Sequence, residues 1–313
     1  MNIVIVGPGA IGLLFYFLIS KKVKTITLLD KNQERAVLLK EKGLTVLKDS
    51  KTYKIPLNIT SNPGDLKEID LFIICVKSYD TPQVAKSIKP LCNKDSYVLS
   101  LQNGLGNREV LSEILGEEKI LGAITHKAST LIGDGSIRYV ADGQTTIGRN
   151  PGKPAPKLRE IRTIFNSCGI STSISKDFDS IIWSKLIINI AINPLTAILR
   201  LKNGDLLKFD ETRLLMQMAS SEAERIAKRK RIRLVYNDTQ TKVEAVCRAT
   251  SDNISSMLQD VLRNKKTEID FLNGAICRLA QTLKIPAPVN FLLYQLIKTI
   301  EQSYSQSVGK NDI

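Results

Sequence analysis

A chain of 313 residues with 43% hydrophobic content is long for one domain and natural for two, with ample apolar material for real cores. Its formal net charge of +14 suits nucleic acid, an acidic membrane surface, or an enzyme whose cofactor and substrate are all anions. Five scattered cysteines, Cys75, Cys92, Cys168, Cys247 and Cys277, include no C-x-x-C pair, which argues against a disulfide framework or a cysteine metal site and reads as reduced thiols of a cytoplasmic protein.

The chain opens on an apolar strand, Met1 to Val6, that feeds Gly7-Pro8-Gly9-Ala10-Ile11-Gly12 and then a helix. That order is what a dinucleotide site needs: Gly7 for the tight turn, Gly9 for backbone approach to a pyrophosphate, and Gly12 for close helix packing. The helix N-terminus supplies free N–H groups and the positive end of the dipole. The first nineteen residues are nearly all apolar and end at Lys21-Lys22, like a signal or membrane segment. They lack a basic start and a small-residue cleavage site, and Gly-Pro-Gly interrupts the run, so a buried strand and helix are expected and no membrane.

Thr25 to Leu29 is the second strand, with Asp30-Lys31 at its end. Asp70 to Val76 is a buried strand followed by Lys77 and a helix from about Thr81 to Leu91. Ser96 to Leu101 ends in Gln102-Asn103-Gly104. Lys119 to Ile124 and Gly135 to Val140 are expected to continue the same sheet, and Gln144 to Gly148 to add a late antiparallel strand. A loop from Asn150 to Pro156, a helix, and the strand Ser171 to Ser175 complete a Rossmann-type, doubly wound α/β domain over 1–176. From 177 to 313 helical periodicity dominates, predicting a mostly α-helical domain. Ligands of an open α/β sheet bind beyond the carboxyl ends of its strands, so the glycine turn, Lys77 and Gln102-Asn103-Gly104 are expected to line one crevice.

In the second half, Lys185, Asn189 and Asn193 recur at four-residue spacing within an otherwise apolar stretch. They drift only about 40° per step on a helix and share one stripe. An ammonium and two amides on an apolar helix need partners. They form either an internal hydrogen-bond network or a site, and Asn193 before Pro194 could simply mark the helix end. Farther on, Thr267 and Asp270 approximate a capping box, which puts Glu268 in a first helical turn, either complementing the dipole or facing Lys185. The basic run Lys228 to Arg233 continues a helical pattern and has no interleaved aromatics, so nucleic acid is not an expected partner.

Taken together, Gly7-Pro8-Gly9-Ala10-Ile11-Gly12, Val76-Lys77, Gln102-Asn103-Gly104, Thr125-His126, Trp183 to Asn189, Ile192 to Ala197, Asn253 to Asp260 and Thr267 to Gly274 resemble the ketopantoate reductase family, in order over nearly the whole chain. The resemblance implies NADPH-dependent reduction of 2-dehydropantoate to pantoate, a step towards pantothenate and coenzyme A. It implies Lys185 as catalytic acid and Glu268 as its partner, with Asn103, Asn189, Asn193, Asn253 and Ser256 on the substrate. The cofactor set is then Gly7, Pro8, Gly9, Ala10, Ile11, Gly12, Lys31, Lys77, Asn103 and Glu268. The chemistry agrees, because hydride addition to a 2-keto group makes an alkoxide that an ammonium can stabilise and protonate. His126, the single histidine, is expected to be a wall of the site and not the proton donor.

The chain departs from the family at Asp30, the residue type that binds an NAD ribose; the family relies on a cation for the 2′-phosphate, and Lys31 is that cation here. Two other readings stand beside the first. One is a reductase of another branched 2-keto acid; the other is a non-enzymatic nucleotide sensor or nucleic-acid-binding protein, against which Lys185 and Glu268 together argue. A homodimer is among the assemblies the sequence leaves open.

Overall fold

The computed structural model describes residues 1–149 and 156–306; the expected loop residues 150–155 and the end of the polar tail, 307–313, lie outside them. The chain forms two compact units, residues 1–102 with 106–178, and residues 103–105 with 179–313.

The elements of the first unit are β1 (Ile3–Val6), α1 (Ala10–Ile19), β2 (Ile26–Leu29), α2 (Gln33–Lys42), β3 (Leu44–Lys48), β4 (Lys51–Ile55), β5 (Ile59–Thr60), β6 (Leu71–Ile74), α3 (Thr81–Ile88), β7 (Tyr97–Ser100), α4 (Asn107–Leu115), β8 (Ile120–Thr125), β9 (Ala128–Gly133), β10 (Ser136–Ala141), β11 (Thr145–Gly148), α5 (Pro156–Ser167) and β12 (Thr172–Ile174). Eight strands form one sheet in the order β12-β11-β8-β7-β6-β1-β2-β5. Strands β5 to β8 of that order pair in parallel, and β11 runs antiparallel to β8. Central strands such as β1 and β6 are buried at every position because both faces are covered. Ile3, Ile5, Leu71, Ile73 and Leu99 pack with α1, α2 and α5. Their neighbours Val4, Val6, Phe72, Ile74 and Val98 turn to the other face, where α3 and α4 supply Val84, Ile88, Leu111 and Leu115. The expected doubly wound sheet is thereby formed.

One expected strand lies elsewhere. β10 does not continue this sheet but joins a second one, β4-β3-β10-β9, pairing in parallel with β3 and antiparallel with β9. Its burial alternates, with Ile137 and Tyr139 inward and Arg138 and Val140 outward, the pattern of a sheet covered on one face.

The second unit is helical: α6 (Phe178–Leu199), α7 (Asp210–Arg229), α8 (Thr239–Ala249), α9 (Ser256–Val261), α10 (Asn273–Leu283) and α11 (Pro288–Gln302). α6 is its axis. Trp183, Leu186, Ile187 and Ile190 enter one core with Ala223 and Ile226 of α7, while Ile188, Ala191, Ile192 and Leu195 enter another with Met216 and Val243. This is the one helix among the described residues long and apolar enough to cross a membrane, and 72% of its most apolar window is buried within the protein, so its apolarity is that of a core helix.

Candidate active site

At the end of β1 the glycine turn divides its three glycines by role. Gly7 has φ +99°, and a Cβ there would meet Val76 Cγ1 at 2.7 Å. A Cβ on Gly12 would collide with the Gly7 carbonyl oxygen. Gly9 has an ordinary φ of −80°, and no atom lies within 4 Å of where its Cβ would be. The turn is packed shut at Gly7 and Gly12 and open at Gly9, beside the first turn of α1, so these residues fit a dinucleotide pyrophosphate. Pro8 is buried, Ala10 and Ile11 start α1, and the Ser129 hydroxyl of β9 donates to the Ala10 carbonyl at 2.6 Å, holding the turn from the second sheet.

Lys77, partly buried, precedes a 3₁₀ turn over Ser78–Asp80. The end of β7 is tied to it: the Gln102 amide donates to the Val76 carbonyl at 3.1 Å and to Thr81 Oγ1 at 2.7 Å. Lys31 is exposed and paired with Asp80 at 2.8 Å. Asp30, by contrast, is buried against Arg35.

In the second unit, Asn103 lies at the start of a short segment anchored on the turn that carries Glu268. Leu105 N–H donates to the Phe271 carbonyl at 3.0 Å, and Gly104, at φ +83°, leaves no room for a Cβ, which would meet that same oxygen at 2.5 Å. Lys185, Asn189 and Asn193 share a face of α6, with Asn193 9% exposed. Burial pulls the Lys185 ammonium down to about 8 from its ordinary value of 10.5, and the Glu268 carboxylate acts in the opposite direction. That Coulombic coupling sets the Glu268 charge near Lys185, and Glu268 is itself buried at 9% exposure.

Two sequence expectations are corrected here. Asn193 does not end a helix, because α6 continues through Pro194 to Leu199. A proline inside a helix removes the N–H that would serve the carbonyl four residues back. The Ile190 carbonyl instead accepts from the Asn273 side-chain amide at 3.1 Å. The capping box of Thr267 and Asp270 does not form either. Thr267 Oγ1 accepts from Ile269 N–H at 3.1 Å, two residues on, in a 3₁₀ turn over Ile269–Phe271, and the Asp270 carboxylate is taken by Tyr294 Oη at 2.9 Å and Lys298 Nζ at 3.2 Å. Glu268 therefore precedes a short turn, and α10 starts only at Asn273.

Asn253 is partly buried and holds the Asn203 N–H at 3.1 Å through its carbonyl; Ser256 is exposed at the start of α9. The buried neighbour Ser255 makes the cap, accepting from Leu258 N–H at 3.1 Å. Thr196 Oγ1 lies 2.7 Å from Ser255 Oγ and donates to the Asn193 carbonyl at 2.8 Å, which joins the Asn193 and Asn253–Ser256 stretches. His126 is exposed. Sequence reasoning missed Thr196, Ser255 and Asn273 as the groups that hold the α6 stripe in place; the signal for Asn273 was a proline inside a helical pattern, which demands a substitute donor.

The model of the family described as ketopantoate reductase PanE/ApbA matches residues 3–152, and that of its C-terminal part matches residues 177–301. The chain is 34% identical over 305 residues to a 2-dehydropantoate 2-reductase of Pyrococcus horikoshii, covering 96% of this chain and 98% of that protein. It is similar to the crystal structure of a PanE/ApbA family ketopantoate reductase from Ralstonia eutropha JMP134, with TM-score 0.90, 28% identity, and coverage of 98% of this chain and 100% of that one. It shares its fold with D-mandelate dehydrogenase solved with NADH and anilino(oxo)acetate, at TM-score 0.91 and 24% identity over 97% of this chain and 100% of that one. On the matched models, which span both units, and on relatedness along the full length, the chain belongs to the ketopantoate reductase family.

Proposed function

We infer that this chain reduces the 2-keto group of 2-dehydropantoate to the 2-hydroxyl of pantoate, in the cytoplasm, on the way to pantothenate and coenzyme A. Residues 1–176 hold the cofactor, and residues 177–313 supply most of the groups that meet the substrate. The observation that carries the reading is the desolvated Lys185 ammonium, coupled to Glu268 on a stripe with Asn189 and Asn193. NADPH, when bound, supplies the hydride to C2. Lys185 Nζ donates a hydrogen bond to the keto oxygen, stabilises the negative charge that grows there, and transfers its proton to the alkoxide, leaving a neutral amine that solvent reprotonates. Glu268 keeps Lys185 protonated against the desolvation that would discharge it. Asn103, Asn189, Asn193, Asn253 and Ser256 hold the carboxylate and hydroxyl as neutral donors, orienting C2 without competing for the proton.

In this reading the open glycine turn at Gly9 takes the pyrophosphate common to both cofactors, and Lys31 makes NADPH the preferred reductant through its 2′-phosphate. Free thiols at all five cysteines suit a reducing compartment. Nothing observed favours another keto acid or a non-enzymatic role. The test is Lys185→Ala: kcat is expected to fall at least about a hundredfold, the scale of a general acid, with an unchanged melting temperature and NADPH affinity. Undiminished turnover would remove Lys185 from the mechanism.

A further inference from the structure

At the end of the second strand of a Rossmann-type sheet, an acidic residue ordinarily takes the hydroxyls of an NAD ribose. Asp30 occupies that position, but its carboxylate is turned inward, with its side chain 1% exposed. Arg35, in the first turn of α2, forks onto it: Nε donates to Oδ2 and a terminal nitrogen to Oδ1, each at 2.5 Å. The Asn32 backbone N–H adds a third bond to Oδ1 at 3.1 Å. The Arg35 side chain remains 43% exposed, and Lys31 next to Asp30 is likewise exposed.

We propose that Arg35 is a specificity-determining residue for the cofactor: it withdraws the Asp30 carboxylate from the ribose and presents a guanidinium beside Lys31, so that this edge accepts a 2′-phosphate and disfavours a bare ribose. The inference rests on the NADPH reading above and names what enforces it. A bare carboxylate here would accept from a ribose diol and repel a phosphate dianion, and both effects favour NADH. With the fork in place, the carboxylate is buried and compensated, and the accessible side chains are cationic. Lys31 alone is a weaker discriminator, since it is a point charge already engaged by Asp80 at 2.8 Å.

The test is direct binding of NADPH and of NADH, followed by nicotinamide fluorescence without any keto acid, for the wild type, Arg35→Ala, Asp30→Asn and the double variant. Arg35→Ala is expected to lower the NADPH-over-NADH affinity ratio by at least about tenfold, the loss of one charge-assisted contact. Asp30→Asn is expected to leave the ratio unchanged or higher, and the double variant to regain part of what Arg35→Ala loses, because no carboxylate then faces the phosphate. Should Arg35→Ala not fold, Arg35→Lys, which keeps the charge without the fork, is compared with the double variant for the same partial recovery. A wild type that binds both cofactors equally overturns the NADPH reading and this inference together. A wild type that prefers NADPH, with Arg35 substitutions that leave the preference untouched or a double variant that recovers nothing, overturns this inference alone.

Discussion

Lys185 holds its proton less tightly than a solvent-exposed lysine because the helix surface around it takes the ammonium out of water, and Glu268 restores part of the loss. The protonated amine is the form that donates, so turnover should be level through neutral pH and fall as pH rises through about 8. Removing the Glu268 charge removes a contribution that raises the Lys185 value. Glu268→Gln should therefore move the alkaline limb of the kcat profile to lower pH, and a limb that stays or moves upward would uncouple the pair. Gly9 offers a second single-residue test. Its φ is ordinary and its Cβ position is open, so Gly9→Ala should fold with an unchanged melting temperature yet lose most of its NADPH affinity, because the methyl group stands where backbone must approach the pyrophosphate. Unaltered affinity would place the cofactor elsewhere. The Lys185 stripe was legible because four-residue spacing survives folding as a shared helix face. The pairing of Asp30 with Arg35 was not, because both residues are ordinary at a helix start and only side-chain direction reveals the fork.

At the level of elements, α6 carries the proposed catalytic stripe through a helix that contains a proline. The Ile190 carbonyl depends on Asn273, whose amide also donates to Asn290 Oδ1 at 3.0 Å. Asn290 in turn donates through its side chain to Glu222 at 2.7 Å, and Glu222 accepts the Val289 and Asn290 backbone N–H groups at 2.9 Å each, capping α11 from α7. Asn273→Ala should cost about 1–3 kcal/mol, the penalty of leaving a buried carbonyl without a donor, read as a lower chemical-denaturation midpoint. An unshifted midpoint would mean that Ile190 finds another donor. The central parallel strands β1, β6, β7 and β8 were legible as apolar runs between glycine and polar turns, whereas the two-residue β5 and the second-sheet strand β3 were not read at all. β10 was assigned to the wrong sheet because its position in the strand-helix order was followed over its pattern: Ser136 and Arg138 alternate with Ile137 and Tyr139, as in a sheet covered on one face. The false capping box at Thr267 has a similar cause: spacing alone does not distinguish a cap on an α-helix from an i to i+2 bond in a 3₁₀ turn.

For the whole molecule, the fold class followed from the change of texture along the chain, alternating strands and helices giving way to helices alone. The +14 charge, by itself compatible with nucleic acid, is used partly in ordinary structure. Lys228 and Arg229 of the most basic run close the last turn of α7, where cations complement the dipole, and Lys228 pairs with Glu224 at 2.6 Å. The groups assigned to the reacting end would serve any 2-keto acid, so the choice among keto acids tests the account most sharply. The most direct measurement is the steady-state loss of NADPH absorbance by the purified wild-type protein, with 2-dehydropantoate, with 2-oxoisovalerate, which lacks its hydroxymethyl group, and with no keto acid. A kcat/KM for 2-dehydropantoate well above that for 2-oxoisovalerate, with pantoate formed in step with NADPH consumed, is the predicted result. Absence of NADPH consumption with 2-dehydropantoate, or a clear preference for 2-oxoisovalerate, would contradict the account.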